Sequence, residues 1–459
     1  MRSLVALLTI GLITGSLAGR FQSAGGQTAA LHKPGPDDRF KADILVIVAH
    51  PDDETLIAGY LARAIFDQKK RVAVLYGTRG DAGGNVMGYE QAASLGAVRE
   101  IEARRAIASL GITNAWFIGG PDTAGQDVLR SLETWHHGYA LDQAVRIVRL
   151  TRPEVILTWL PDYVVGENHG DHQASAVIAT EAFDLAGDST AFPEQIAAPR
   201  SRTAVGNLTE GLHPWQPKKI YYFSDTSHPD FLKGKGPEYS MTEVSPSRGV
   251  PYTRLAAEEA TYHLTQSGVG LAAKEGLEKG NLKPLEAPIQ FVLGKSLVGS
   301  GVAADIFDGV PSSPTPFARV KGYRPATRPE LSISLGGPWA FYSDFWPAHD
   351  IDHIEKLVQP EAATGGDGLI HVPVLLINDS GRNREIDLSV EVPSGWTERS
   401  GSGRYLVGAG DTFPISAAIA APADHKREWG EITWTANSDG KPIGTILLRV
   451  YNSTGGLPQ

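Results

Sequence analysis

The run Ile44-Leu45-Val46-Ile47-Val48-Ala49 stops abruptly at His50-Pro51-Asp52-Asp53-Glu54. An unbroken aliphatic stretch of this length fits a strand covered on both faces, as in the parallel sheets of α/β proteins. Open α/β sheets bind ligands in the crevice beyond the carboxyl ends of their strands. One imidazole and three carboxylates therefore stand where such a fold does its chemistry. Groups this close together suggest a metal site with an adjacent base.

The rest of the chain repeats the alternation. Strands are predicted at 44–49, 72–76, 115–118, 155–160 and 220–223, and helices at 55–67, 91–110, 139–150 and 173–185. In the second helix Ala92, Leu95, Val98, Ala103, Ala106 and Leu110 fall largely on one face, and Gly111 supplies a stop. This pattern predicts an α/β, Rossmann-like domain with a mostly parallel sheet and flanking helices. Residues 238–325 are less regular, with one clear helix at 254–263, and Arg324-Pro-Ala-Thr-Arg-Pro329 looks like a linker. Beyond it come short β-rich runs at 370–378, 386–392, 413–420, 431–436 and 443–451, separated by turn residues. They predict a C-terminal antiparallel β-sandwich, Ig-like, of roughly one hundred residues. A length of 459 residues agrees with two domains. The expected division is 1–18 signal peptide, 19–41 disordered leader, 42–323 α/β domain, and 324–459 linker and accessory sandwich. A chain ending near Tyr323 is expected to fold and act alone.

Met1-Arg2 and the apolar run after them, followed by Ser16-Leu17-Ala18, have the form of an export signal with a cleavage site. The run is short of the ~20 residues a spanning helix needs. Secretion or periplasmic delivery is thus expected, with no stable membrane span after cleavage. The chain holds no Cys, which excludes disulfides, thiolate metal sites and a Cys nucleophile. A net charge of -10 without a compensating basic stripe argues against a nucleic-acid partner.

A second cluster, Asn168-His169-Gly170-Asp171-His172, precedes the helix beginning near Gln173. Residues three apart at a helix start can face one side, so His169 and His172 can converge, with Asp171 as a carboxylate partner for a working imidazole. Two imidazoles and a carboxylate with one open position form a catalytic zinc pattern. His50, Asp53 and His172 suit the ligands of Zn2+ or another divalent metal, Asp52 the general base, and His169 the oxyanion stabiliser.

Ala49-His-Pro-Asp-Asp-Glu54 with a later His-x-Asp-His resembles the LmbE-like (PIG-L) family of zinc-dependent N-acetylglucosamine deacetylases, in its longer, exported, multidomain form. Thr78-Arg-Gly-Asp-Ala-Gly-Gly84, Arg99 with Glu102, Leu150-Thr-Arg-Pro-Glu-Val155, His213 to Ile220 and Tyr262-His-Leu-Thr-Gln266 also fit. The likeness runs from Ala42 to Phe307. It implies the same ligands and base, and His169, oriented by Asp171, polarising the acyl oxygen or protonating the leaving amine. It also implies Arg79, Asp81 and Arg99 as groups gripping sugar hydroxyls or a substrate anion. Two departures stand out. Gly170 replaces a proline common among relatives and should loosen the turn. Glu167 occupies a place where sugar-thiol deacetylases of the family carry tyrosine.

The expected activity is removal of an acetyl or other small acyl group from an N-acyl amino sugar or glycoconjugate. One alternative is an amidase for another amide-linked conjugate, such as a sugar-thiol conjugate, glycolipid or glycopeptide. Another is a carbohydrate-binding protein without catalysis, which the filled ligand and base positions oppose. His136-His137 fits a solvated helix start. His349 and His353 have helical metal-ligand spacing, but no predicted strand feeds them. Trp396, Trp429 and Trp434 fit a sandwich core, glycan contact through the C-terminal domain being their other use.

Overall fold

In the computed structural model the first strand, β1 (Ile44–Val48), is buried at every position. Its alternate side chains enter two different cores: Ile44, Val46 and Val48 join one, Leu45 and Ile47 the other. Side chains on a strand alternate faces, so a strand between two helical layers needs apolar residues throughout. The structure describes residues 35–165, 169–196, 210–226, 229–266, 268–311, 316–320, 322, 328–422 and 428–453. The expected signal peptide, the first part of the leader, Glu167 and most of the linker lie outside the described residues.

A helical stretch over 53–67, with α1 (Ala58–Ala62) at its centre, leads to β2 (Val72–Tyr76), α2 (Ala92–Ser109) and β3 (Asn114–Phe117). Next come α3 (Val128–Thr134), α4 (His137–Thr151), β4 (Val155–Trp159), α5 (Gly170–Leu185) and β5 (Lys219–Phe223). The first domain continues through β6 (Glu238–Tyr239), α6 (Tyr252–Ala260), α7 (Val269–Lys279), β7 (Ile289–Gln290) and β8 (Val292–Ser296). Among the described residues the main sheet has six strands in the order β3-β2-β1-β4-β5-β8. All neighbours are parallel except β5 and β8, which pair antiparallel. The chain winds outward from β1 through β2 and β3, then restarts at β4 on the other side. The crevice at this reversal, where open α/β sheets bind their ligands, lies between the ends of β1 and β4.

The second domain is a β-sandwich, as expected. It contains β9 (Leu331–Leu335), β10 (Glu361–Ala363), β11 (Leu369–Asn378), β12 (Arg384–Glu391) and β13 (Thr397–Ser400). It is completed by β14 (Gly403–Val407), β15 (Asp411–Ala420), β16 (Trp429–Ser438) and β17 (Lys441–Tyr451). Among the described residues one sheet runs β10-β17-β16-β12-β14 and the other β13-β15-β11-β9. Pairing is antiparallel apart from the short β10 beside β17. Trp396 and Trp434 lie in the core between the sheets, while Trp429 packs beside Tyr451 under the Arg449 guanidinium. No helix among the described residues is long and apolar enough to cross a membrane.

The two domains share a core boundary that the sequence does not reveal. Between β9 and β10 the chain forms α8 (Pro338–Ala348). Tyr342, Phe345 and Trp346 from it, with Ile351 and Ile354, join the core of the first domain. Tyr342 Oη donates to Gln173 Oε1 (2.9 Å), and Trp346 Nε1 donates to the Pro161 carbonyl (2.8 Å). Glu361, buried, takes the Arg449 guanidinium at 2.7 Å and the Val165 N–H at 3.3 Å. A chain ending near Tyr323 would therefore bare the apolar surface that these residues cover, and independent folding is no longer the expectation. His349 and His353 serve the same packing: His349 Nδ1 faces Asp184 Oδ2 at 2.7 Å, and His353 Nε2 faces the Leu293 carbonyl at 2.8 Å.

Trp346→Ala in the full chain should lower unfolding stability by about 3–5 kcal/mol, the usual result of emptying a buried indole site. Denaturant unfolding followed by fluorescence measures it. A change below about 1 kcal/mol, the size of a surface substitution, would mean that α8 only rests on the first domain.

Candidate metal and active site

The Asp53 carboxylate organises the crevice. Its Oδ2 accepts three hydrogen bonds, from the Ala49 N–H (2.8 Å), the His50 N–H (2.9 Å) and Trp159 Nε1 at the end of β4 (2.8 Å). That leaves Oδ1 facing two imidazoles: His50 Nδ1 at 3.5 Å and His172 Nε2 at 3.3 Å. His172, in the first turn of α5, lies flat on the Trp159 indole, with ring centres 3.9 Å apart and planes 3° from parallel. One tryptophan thus fixes both a carboxylate and an imidazole. Burying these groups together is unfavourable unless a charge partner joins them. Their ligand atoms all lie within 4.8 Å of one another, and this mixed N/O donor set fits a divalent cation.

Asp171, fully buried, faces the other side of His50, with Oδ2 at 3.3 Å from Nε2. It also accepts the Thr123 N–H (2.8 Å) and the Thr123 hydroxyl. A carboxylate behind a metal-binding imidazole fixes its tautomer and orientation. The expectation that Asp171 orients His169 is corrected here. His169 Nδ1 instead faces the Thr123 carbonyl at 3.2 Å, so its N–H donates there and Nε2 is left for the cavity. The reason is local: Asp171 lies inside the first turn of α5 and points at Thr123 and His50, whereas His169 lies just before it, in extended backbone.

Gly170 is a second correction. Its N–H donates to the Gly125 carbonyl at 2.7 Å, and a Cβ there would come within 2.6 Å of the Asp127 carbonyl oxygen. The residue fastens the turn through a bond that proline, lacking an N–H, could not make.

Asp52, next to Asp53, lines a cavity of about 650 Å³ with His50, Asp53, Asp122, Thr123, His169, His172 and Asp225. Burial, and then the neighbouring Asp53 charge, push its carboxyl up to about 7. The far wall of the cavity is apolar, formed by Leu56, Met241, Ala256, Val269, Leu285 and Ile289.

The three residues expected to grip substrate are placed differently. Arg99 lines the cavity, but its guanidinium binds the carbonyls of Gly80 (2.5 Å) and Gly84 (2.7 Å) and, through Nε, Thr265 Oγ1 (3.3 Å). It shapes the glycine-rich loop, whose Gly80 takes a positive φ of 71° that favours glycine. Arg79 pairs with Glu100 at 3.1 Å, its side chain half exposed and outside the cavity lining. Asp81 accepts the Asp122 N–H at 3.2 Å, likewise outside the lining.

Sequence reasoning missed Trp159, Asp122 and Asp225. Asp225 follows β5 and Asp122 follows β3, so the carboxyl-end rule applied to β1 and β4 would have found them. Burial raises the Asp225 carboxyl to about 6.

The fold and site define an α/β protein with a candidate metal site and hydrolytic centre. The profile of the PIG-L family, described as GlcNAc-PI de-N-acetylase, matches residues 45–183. The chain is 30% identical over 254 residues to the 1D-myo-inositol 2-acetamido-2-deoxy-alpha-D-glucopyranoside deacetylase of Tsukamurella paurometabola, covering 49% of this chain and 83% of that protein. It is 28% identical over 299 residues to deacetylase 1 of the same name from Frankia casuarinae, covering 58% and 94%. Among solved structures, the N,N'-diacetylchitobiose deacetylase of Pyrococcus horikoshii matches at 16% identity and a TM-score of 0.39, covering 55% of this chain and 84% of that one. The chain belongs to the PIG-L family.

Trp159→Phe keeps a ring against His172 and removes the N–H that holds Asp53 Oδ2. Competition with a chromogenic chelator should show metal affinity lower by about 10–100-fold, as for other groups that orient metal ligands. Unchanged affinity would show that the two backbone N–H groups suffice.

Proposed function

We propose that this protein is an exported zinc-dependent deacetylase acting on an N-acetylglucosamine-type amino sugar within a glycoconjugate. The observation that carries the reading is the convergence of His50, Asp53 and His172 beside the carboxylate of Asp52 in one cavity. The curated relatives, deacetylases of a glucosamine–inositol conjugate, support an acetylated amino sugar as substrate. Export rests on the form of the first eighteen residues.

When bound, zinc would polarise the acyl carbonyl and lower the pKa of a water. Asp52 takes the proton of the attacking water as general base. His169 acts as the imidazolium, donating from Nε2 to the charge that develops on the acyl oxygen while Nδ1–H stays on the Thr123 carbonyl, and the departing amine takes the proton that Asp52 removed from the water. Asp171 holds His50, and Trp159 holds Asp53 and His172, so the polar groups need little rearrangement during reaction.

Metal content and rate, measured on the same samples, test this. Asp53→Ala or His172→Ala should lose metal, since a three-ligand site has no spare donor. Asp52→Ala should keep the metal and lose roughly 10²–10⁴-fold in acetate release. Metal loss in Asp52→Ala with retention in Asp53→Ala would reverse the two assignments. Full rate and metal in both would remove the hydrolase reading.

The apolar far wall favours a conjugate whose non-sugar part is itself apolar. An octyl glycoside of N-acetylglucosamine should then show kcat/KM at least about tenfold above the free sugar, the value of a few buried methylenes. Equal values for the two would leave the wall without a role in substrate choice.

A further inference from the structure

Asp52 has φ 127° and ψ −17°, a conformation that side-chain-bearing residues rarely adopt. Such backbone persists only where its surroundings over-determine it. Here one peptide unit is held at both of its polar atoms. The Asp52 N–H donates to Glu54 Oε2 at 3.1 Å, and the Pro51 carbonyl accepts Gln266 Nε2. Glu54 is held in turn, with its Oε1 facing His263 Nε2 at 3.1 Å and Glu259 Oε1 lying 3.6 Å from the same nitrogen. Glu54, Glu259 and His263 are each 0% exposed. Charged groups remain in such a place only when paired. The segment is itself anchored: Thr265 donates its N–H (3.1 Å) and hydroxyl (2.7 Å) to Glu102 on α2 and accepts from Arg99.

We propose that Gln266 directly, and His263 through Glu54, both just after α6, clamp the Pro51–Asp52 peptide and so aim the Asp52 carboxylate into the cavity. They are positioning residues, and their effect is exerted through Asp52. The proposal rests on the reading of Asp52 as general base. Its two halves come from segments 209 and 215 residues apart in the chain, yet they meet at a single peptide. Gln266 lines the cavity beside Asp52, so loosening this contact would let the strained turn relax where the base acts. Metal ligation would remain, because the Asp53 carboxylate is fixed separately by Ala49, His50 and Trp159.

The test variant is Gln266→Met, which keeps side-chain length and removes the donor. Acetate release from the octyl glycoside of N-acetylglucosamine should fall at least about tenfold in kcat, a loss on the scale of a misplaced base, with KM and zinc content unchanged. In an Asp52→Ala background the same substitution should have no further effect, since positioning matters only while the base is present. In the crystal structure of Gln266→Met, Asp52 should leave the positive-φ region. Equal losses with and without Asp52, or an unmoved Asp52 with full kcat, would overturn the clamp. Should Gln266→Met not fold, His263→Gln is read by the same kinetic and structural criteria. Full activity in Asp52→Ala alone would instead sink the base assignment. Wild-type protein inert on the glycoside would count against the proposed function, and the crystallographic φ of Asp52 would still decide the clamp.

Discussion

Asp53 makes two kinds of contact with its two oxygens, and the architecture of the site follows from that division. One oxygen is saturated by N–H donors from β1 and from the indole at the end of β4. The other is thereby directed at His50 and His172. Hydrogen bonds to an ionised acceptor are among the stronger ones in a protein interior. They are available here because parallel pairing puts the ends of β1 and β4 side by side. The strand order, the tryptophan and the first turn of α5 must all be in place before this carboxylate has its geometry. A loose surface loop could not hold the three groups to the same tolerance.

The same logic explains what could be read from the sequence. Strands β1, β2, β4 and β5 were legible because both faces are buried, which leaves continuous apolar runs such as 44–49 and 155–160, whereas the partly exposed edge strand β8 was not foreseen. His50, Asp52, Asp53, His169, Asp171 and His172 were legible because each cluster sits directly after such a run or at a helix start. Asp225 and Asp122 were passed over because a lone aspartate in a loop has the composition of any turn, although each follows a strand of the main sheet. The Asp171–His50 contact was hidden for another reason: sequence spacing says which residues share a helix face, but not which neighbour a side chain meets across the fold. α8 escaped notice because Gly336-Gly337-Pro338 and Pro347 mimic loop punctuation around a helix that is apolar on several sides. Its amphipathic signal is weak because it is pressed between the first core and the sandwich.

Composition and buried surface divide the chain at different places. The proline-rich stretch before 330 has the texture of a linker, and the texture on either side of it changes from α/β to all-β. Physical division follows buried surface instead. By that measure residues 342–354 belong to the first core although β9, earlier in the chain, belongs to the sandwich. The chain crosses three times between the domains, and a buried Glu361 is bonded to both. Tyr342, on the helix inserted between β9 and β10, bonds Gln173 of α5, the helix that carries His172.

Charge narrows the ligand further. Among the described residues the cavity lining contains four carboxylates, those of Asp52, Asp53, Asp122 and Asp225, against one guanidinium, Arg99, whose donors are largely held by backbone carbonyls. A phosphate or carboxylate on the substrate, close to the reacting amide, would meet repulsion at short range and in a medium that screens poorly. A neutral acylamino group meets none, and the amine it leaves behind gains a proton and is attracted to the same carboxylates. The electrostatics thus suit a neutral amide entering and a cationic ammonium leaving. They also oppose the role first expected for Arg79 and Arg99 as anion clamps, because one faces solvent and the other is committed to the loop it shapes.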